Sequence, residues 1–198
     1  MTWTIGIYLF DGVEVLDFAG PFEVFSTAAR VHGRQEPPSP PPFVVVTVGN
    51  GPGSIVARGG LRVQPAFGFG DHPRLDVVVI PGGAIDAELE RPEVEAWLRR
   101  VASSATITAS VCTGAFLLGQ AGLLDGRRAT THWDDLEELR RLFPEVEVVD
   151  GERWVDQEAV VTSAGISAGL DMSLHLVARL EGEELARATA LQMQYVWR

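Results

Sequence analysis

Residues 75–83, LDVVVIPGG, and residues 105–116, ATITASVCTGAF, decide the fold of this chain. Each stretch is a continuous apolar run that ends at small residues, which is typical of parallel strands covered by helices on both faces. Between them, residues 91–102 repeat apolar side chains at helical spacing from Val94 to Val101. The three segments together predict a βαβ unit.

Strands and helices alternate along the rest of the chain as well. Pro21 suits the first turn of a helix, so the sequence predicts a helix over residues 21–31 with Gly20 as its cap. The proline-rich residues 35–42 predict a surface connection, and residues 50–53 a turn. Further predicted strands lie at residues 3–10, 43–48, 146–149, 153–155 and 159–162, short extended pieces at 54–57 and 61–64, and further helices at 134–143, 167–180 and 183–196.

This alternation predicts an α/β fold, a flavodoxin-like, doubly wound sandwich with a mostly parallel central sheet and helices on both faces. We expect one domain over residues 1–198. Ligands of such sheets bind outside the carboxyl ends of the strands. The segments expected at those ends are residues 11–17, Pro81-Gly82-Gly83 and Cys112.

Composition limits the classes of function. The chain has 198 residues with 16 basic and 27 acidic side chains, and its formal charge of −11 should repel nucleic acid and anionic membranes. It has no apolar run of membrane-spanning length and no secretory signal in its first residues, which favours a cytoplasmic protein. Without zinc-ligand spacing or a nucleotide-phosphate motif, neither a metal nor a cofactor is expected.

Cys112 is the only cysteine, and it lies at a predicted strand-to-helix corner. Unpaired backbone N–H groups at a helix start favour a thiolate, which is the nucleophilic form of cysteine. A lone cysteine is also a common packing residue. If the strands of the βαβ unit are neighbours, Gly82 and Gly83 lie beside Cys112, and the amides of Gly83 and Thr113 could form an oxyanion hole. Alternatively, Pro-Gly-Gly is only a tight turn.

Three more side chains are candidates. With Gly20 as the cap, Asp17 precedes the helix and is free to face Cys112, where a thiol and a carboxyl group would share one proton. It could otherwise cap the helix. The Thr113 hydroxyl could bond the thiolate or the substrate, or cap the following helix. His132 could be a base or a structural histidine, and Asp134 after it is interpreted as a helix N-cap.

The motifs resemble those of the DJ-1/PfpI (ThiJ/PfpI) superfamily. The resemblance rests on residues 10–21, FDGVEVLDFAGP, on Pro81-Gly82-Gly83, on residues 108–115, TASVCTGA, and on residues 121–126 and 129–133, AGLLDG and ATTHW. Within the superfamily they are most similar to the isonitrile hydratase-like branch and to the sensor domains of some AraC-type regulators. The resemblance implies a class I glutamine amidotransferase-like fold.

The resemblance also implies roles for residues. The hydratase nucleophile falls on Cys112, the acid/base carboxylate on Asp17 and the functional threonine on Thr113. Apart from the resemblance, Gly82, Gly83, Gly114 and His132 are oxyanion or substrate-binding candidates from their expected positions. The resemblance implies a homodimer that acts on a small molecule without a metal. The chain differs from protease-like members, which carry histidine after the nucleophile, and from glyoxalase- or deglycase-like members, which usually carry glutamate at the position of Asp17.

The expected activity is that of a lyase, which adds water to an isonitrile and releases an N-substituted formamide through a covalent thioimidate on Cys112. Two other classes stay open. The domain could bind a metabolite without catalysis, as a sensor or stress-response domain does, or act as a glyoxalase-, deglycase- or amidase-like cysteine enzyme. A redox-sensing thiol would rest on Cys112 alone.

Overall fold

The computed structural model describes residues 1–35, 40–51 and 53–197. The predicted connection at residues 35–42 and the predicted turn at residues 50–53 lie partly outside the described residues. The strands are β1 (Trp3–Leu9), β2 (Phe43–Gly49), β3 (Ile55–Val56), β4 (Arg62–Val63), β5 (Val77–Ile80), β6 (Ile107–Val111), β7 (Arg128–Ala129), β8 (Glu147–Val148), β9 (Trp154–Gln157) and β10 (Val160–Ser163). The helices are α1 (Val15–Gln35), α2 (Asp86–Leu89), α3 (Pro92–Ala102), α4 (Gly114–Gln120), α5 (Leu136–Leu142), α6 (Ala168–Glu181) and α7 (Glu183–Gln192), with 3₁₀ turns at Arg58–Gly60 and Trp133–Asp135.

The central sheet has six strands in the order β2-β1-β5-β6-β10-β9. All neighbours are parallel except β9 and β10, which form an antiparallel pair. Helices flank the sheet: α1, α6 and α7 contact one another, and α2, α3 and α4 form a second group. The prediction of a doubly wound α/β fold with a mostly parallel sheet is therefore confirmed.

The predicted βαβ unit lies at the centre of this sheet. Every residue of β5 and of β6 is buried, as their continuous apolar runs require. Helix α3 buries its apolar face, including Trp97, which is 2% exposed. Val79 pairs with Ala109 across the two strands, so their carboxyl ends meet at one edge of the sheet.

Helix α1 begins at Val15, six residues before the predicted start, so the prediction of Gly20 as its cap is wrong. Pro21 lies inside the helix, where its missing N–H removes one backbone hydrogen bond. The chain is already fixed before that point, because the Glu14 N–H donates to the Gly82 carbonyl (2.9 Å). A tertiary hydrogen bond therefore sets the start of the helix, and Asp17 lies in its first turn.

Two local predictions differ from the structure for similar reasons. Helix α5 is preceded by a 3₁₀ turn, and the capping acceptor there is the His132 ring, which receives the Asp134 N–H at 3.4 Å. Asp134 is therefore not the N-cap. The four-residue helix α2 was not predicted; its buried Glu88 accepts a hydrogen bond from the Tyr8 hydroxyl on β1, which no local pattern indicates.

Within the described residues, no helix combines the length and the apolar character needed to cross a membrane.

Candidate active site

Cys112 lies at the corner between β6 and α4 with a φ of 55°, a conformation that residues other than glycine rarely adopt. Hydrogen bonds between its backbone and two other segments hold it there. The Cys112 N–H donates to the Ser163 carbonyl on β10 (3.2 Å), and the Thr131 hydroxyl donates to the Cys112 carbonyl (2.8 Å). Backbone strain that is maintained by surrounding contacts is typical of functional sites.

Two glycines bring this corner against the end of β5, as predicted. A Cβ atom on Gly114 would lie 2.1 Å from the Ile80 carbonyl oxygen, and one on Gly82 would lie 2.6 Å from the Thr113 nitrogen. Only glycine permits these approaches. Gly82 and Gly114 thus form the packed base of the site, where they have a steric role.

Gly83 and Thr113 bond to each other. The Gly83 N–H donates to Thr113 Oγ1 (3.0 Å), and the same hydroxyl donates to the Gly83 carbonyl (3.2 Å). The Gly83 amide is therefore not available for the predicted oxyanion hole. The amides that lower the pKa of the Cys112 thiol are those of Thr113 and Ile166.

Ile166 was not predicted from the sequence as a residue of the site. It follows β10, and its φ of 49° is unusual for a β-branched residue and turns its amide toward the sulfur. The sequence feature that could have indicated this loop is Gly165, which comes shortly after a strand that ends at the same edge of the sheet.

Asp17 converges with Cys112 from the first turn of α1. Its side chain is completely buried, and its Oδ2 accepts the Gly82 N–H at 3.0 Å. Its other oxygen, Oδ1, is buried and has no hydrogen-bond partner within the described residues. Because the backbone donor fixes Oδ2 as an acceptor, Oδ1 is the oxygen that can carry or receive a proton beside the thiol.

Burial changes the acidity of both groups. It raises the pKa of Asp17 from 3.8 to about 7, although the Gly82 hydrogen bond lowers it. Burial and the Asp17 charge raise the pKa of Cys112 from 9.0 to about 12, against the lowering effect of the Thr113 and Ile166 amides. Desolvation thus outweighs the effect of the helix start, so that near neutral pH the Cys112 thiol keeps its proton while Asp17 is close to the midpoint of its titration.

A cavity of about 480 Å³ opens above this pair. Its wall includes two of the predicted binding residues, Gly83 and His132. The rest of the wall comprises Ala84, Ile85, Leu89, Cys112, Thr113, Phe116, Leu142 and Ile166 with the charged Glu14, Arg58, Asp86, Asp134, Asp135 and Glu138. The site is therefore a cleft of ligand size with the thiol at its base.

His132 lines the cavity and also has a structural role. Its Nδ1 lies 3.3 Å from an Asp135 carboxylate oxygen, and its ring packs so closely on Gly165 that a Cβ there would lie 2.2 Å from the ring. The ring therefore connects the turn before α5 to the loop that carries Ile166. Among the described residues, no group of three or more histidine, cysteine, aspartate or glutamate side chains is arranged to hold a metal.

The fold and the site define a doubly wound α/β protein with a buried cysteine–aspartate pair at the carboxyl edge of its sheet. The model of the DJ-1/PfpI family matches residues 4–179, and the chain belongs to this family.

Relatives within the family include an enzyme and regulators. The chain is 35% identical to isonitrile hydratase from Pseudomonas putida, over 98% of this chain and 79% of the relative. It is 30% identical to the HTH-type transcriptional regulator GbdR from Pseudomonas aeruginosa, over 97% of this chain, and spans only 50% of that regulator. The proteins similar in sequence to this chain thus include both an enzyme and a transcriptional regulator.

Solved structures share the fold. A ThiJ/PfpI family protein from Pseudomonas syringae superposes with a TM-score of 0.86 at 29% identity, covering 98% of this chain and 76% of that one. Drosophila melanogaster DJ-1beta superposes with a TM-score of 0.82 over the whole of both chains. At 21% identity, the second likeness concerns the fold alone.

Proposed function

We propose that this protein is a cysteine-dependent hydratase that converts an isonitrile into an N-substituted formamide. The observation that carries the proposal is the buried Asp17 beside Cys112, with one carboxyl oxygen unpartnered by the described residues, at the base of a ligand-sized cavity. The similarity to isonitrile hydratase supports it. We further propose that the protein acts as a cytoplasmic homodimer without a metal or cofactor.

The first half of the reaction forms a covalent thioimidate. The Cys112 thiol gives its proton to Asp17 Oδ1 as the sulfur attacks the terminal carbon of R–N≡C. Asp17 then returns that proton to the same carbon, which yields R–N=CH–S–Cys112. Until the carbon–sulfur bond has formed, the amides of Thr113 and Ile166 stabilise the negative charge on sulfur.

The second half adds water. Asp17 removes a proton from water while the water oxygen attacks the thioimidate carbon. Asp17 then passes this proton to the thioimidate nitrogen. The resulting R–NH–CH(OH)–S–Cys112 collapses: the carbon–sulfur bond breaks, the hydroxyl proton returns to the thiol, and R–NH–CHO is released. The overall change is the addition of one water to the isonitrile, and the enzyme regains its starting protonation.

Formamide production from an alkyl isocyanide tests the proposal. We expect Cys112→Ala to abolish it and Asp17→Asn to lower kcat by at least about 10²-fold, the usual effect of removing a general acid–base. Glu137→Gln is the matched control, since Glu137 is 89% exposed and lies outside the cavity wall. Formamide production by Cys112→Ala at the wild-type rate would overturn the proposal.

A second candidate function is metabolite binding without turnover. The 30% identity to a transcriptional regulator over nearly the whole chain favours it. In that case a ligand would raise the melting temperature of the wild-type protein and of Cys112→Ala alike, and neither isocyanides nor methylglyoxal would be consumed.

A further inference from the structure

The cavity above Cys112 has an acidic wall, defined as the five carboxylate residues that line it. Against these the described residues of the wall include one permanent cation, Arg58, and one histidine, His132. The residues of the acidic wall are Glu14, Asp86, Asp134, Asp135 and Glu138.

The positive groups around the cavity already have partners. Arg58 Nη1 lies 3.4 Å from Glu14 Oε2, and Arg141 bonds Glu138 from outside the wall. Asp86 and Asp134 are exposed and have no ion-pair partner in the part of the chain that the structure describes. The cavity thus keeps an excess of negative charge that the protein itself does not neutralise.

Independently of the acidic wall, a buried carboxyl group lies beside Cys112. Asp17 is completely buried beside Cys112, and its Oδ1 has no hydrogen-bond partner among the described residues. The charges of Asp17 and Asp135 both disfavour the Cys112 thiolate. A positive charge brought into the cavity would offset them, whereas an anion would add to them.

We propose that the substrate of this site carries an organic cation such as an ammonium group, held by the acidic wall while its reacting carbon meets Cys112. The identity of the substrate class rests on the proposed hydratase function, but the charge preference of the cavity does not. The cation has two effects: it binds to the wall, and it stabilises the thiolate at the moment of attack.

Labelling of Cys112 measures the charge preference without any turnover. Trimethylammonioethyl and sulfonatoethyl methanethiosulfonates transfer the same kind of group to a thiolate and release the same methanesulfinate. We expect the ratio of their rates, cation over anion, to exceed the ratio for a small free thiol by roughly tenfold, as a few unit charges near 10 Å would produce. In about 1 M salt the excess should largely disappear, because the Debye length falls to roughly 3 Å.

Two variants make the test specific. Asp86→Asn with Asp134→Asn should lower the rate ratio several-fold, since both carboxylates line the cavity. Glu137→Gln, on the exposed side of α5, should leave the ratio unchanged. A wild-type ratio equal to that of the free thiol, or one that the double variant does not alter, overturns the proposal.

Turnover separates this inference from the hydratase function. Matched isocyanides that carry an ammonium, a neutral or a carboxylate group should react in that order of kcat/KM. If none is hydrated but the labelling ratio is high, the hydratase function fails and the charge preference stands. If the neutral compound is hydrated best and the labelling ratio is low, the charge preference fails and the hydratase function stands.

Discussion

At the scale of the residue, Asp17 combines burial with incomplete bonding. Its carboxyl group has no exposed surface, its Oδ2 accepts the Gly82 N–H, and its Oδ1 has no partner in the described residues apart from the neighbouring Cys112 thiol. Burying a charge with so little compensation destabilises the folded state. A buried carboxyl group with a raised pKa beside a cysteine is typical of active sites that use acid–base chemistry.

Asp17→Asn is expected to stabilise the protein at alkaline pH. The folded-state pKa of Asp17, about 7, exceeds its ordinary value of 3.8, so the folded protein binds the proton more tightly. The stability from this proton is present below about pH 4 and is lost as the pH rises through 7. Urea unfolding at pH 8 should therefore show a gain of about 2 kcal/mol for Asp17→Asn, and a smaller gain at pH 4.5.

The exposed Asp125 provides the control. Asp125→Asn should change the unfolding free energy by less than about 0.5 kcal/mol, and by the same amount at both pH values. An equal change at both pH values for Asp17→Asn would show that its carboxyl group does not titrate abnormally in the folded protein.

At the scale of the element, the junction of β5, β6 and α4 depends on backbone contact at Gly114. A Cβ there would lie 2.1 Å from the Ile80 carbonyl oxygen, whereas one on Gly33 in α1 would meet no described atom within 4 Å. Gly114→Ala should therefore lower the unfolding free energy by about 3 kcal/mol or more. Gly33→Ala should raise it by up to about 1 kcal/mol, because alanine loses less conformational entropy in a helix.

Chemical denaturation of both variants, followed by circular dichroism, checks this prediction. Equal midpoints for Gly114→Ala and wild type would mean that the corner can move away from Ile80. In that case the close contact would not fix the position of Cys112.

The sequence predicted the elements whose signals are local. The continuous apolar runs of β5 and β6 and the apolar periodicity of α3 are local signals, so the order and burial of these elements followed directly. The start of α1 did not, because Pro21 resembles an N-terminal signal while the Glu14–Gly82 hydrogen bond decides where the helix begins. Helix α2 was missed for the same reason, since its contact with Tyr8 is tertiary.

The site divides in the same way. Cys112, Gly82 and Gly83 could be brought together from strand order alone, because neighbouring parallel strands end at one edge. The Ile166 amide and the acidic wall could not, since they depend on how loops after β10 and around α5 fold back over the sheet. Topology predicts which residues meet, and loop conformation decides which donors and charges face them.

At the scale of the whole molecule, we predict a homodimer, as family resemblance implies. Leu16 and Phe22 on α1 are 37% and 40% exposed, so apolar surface is available for a second copy. Sedimentation should give twice the mass of the chain, and the melting temperature should rise with protein concentration because association stabilises the folded state. A single-chain mass with a concentration-independent melting temperature would exclude the dimer.

The long sequence separations within the site determine when it can form during synthesis. Cys112 is held by Ser163 and approached by the Ile166 amide, so its surroundings are incomplete until the ribosome has added roughly fifty further residues, which takes several seconds at typical elongation rates. During that interval the thiol is open to oxidants. Once β10 joins the sheet, the side chain is 7% exposed. The thiol is therefore open from more directions in the nascent chain than in the folded protein, where the cavity is its route to solvent.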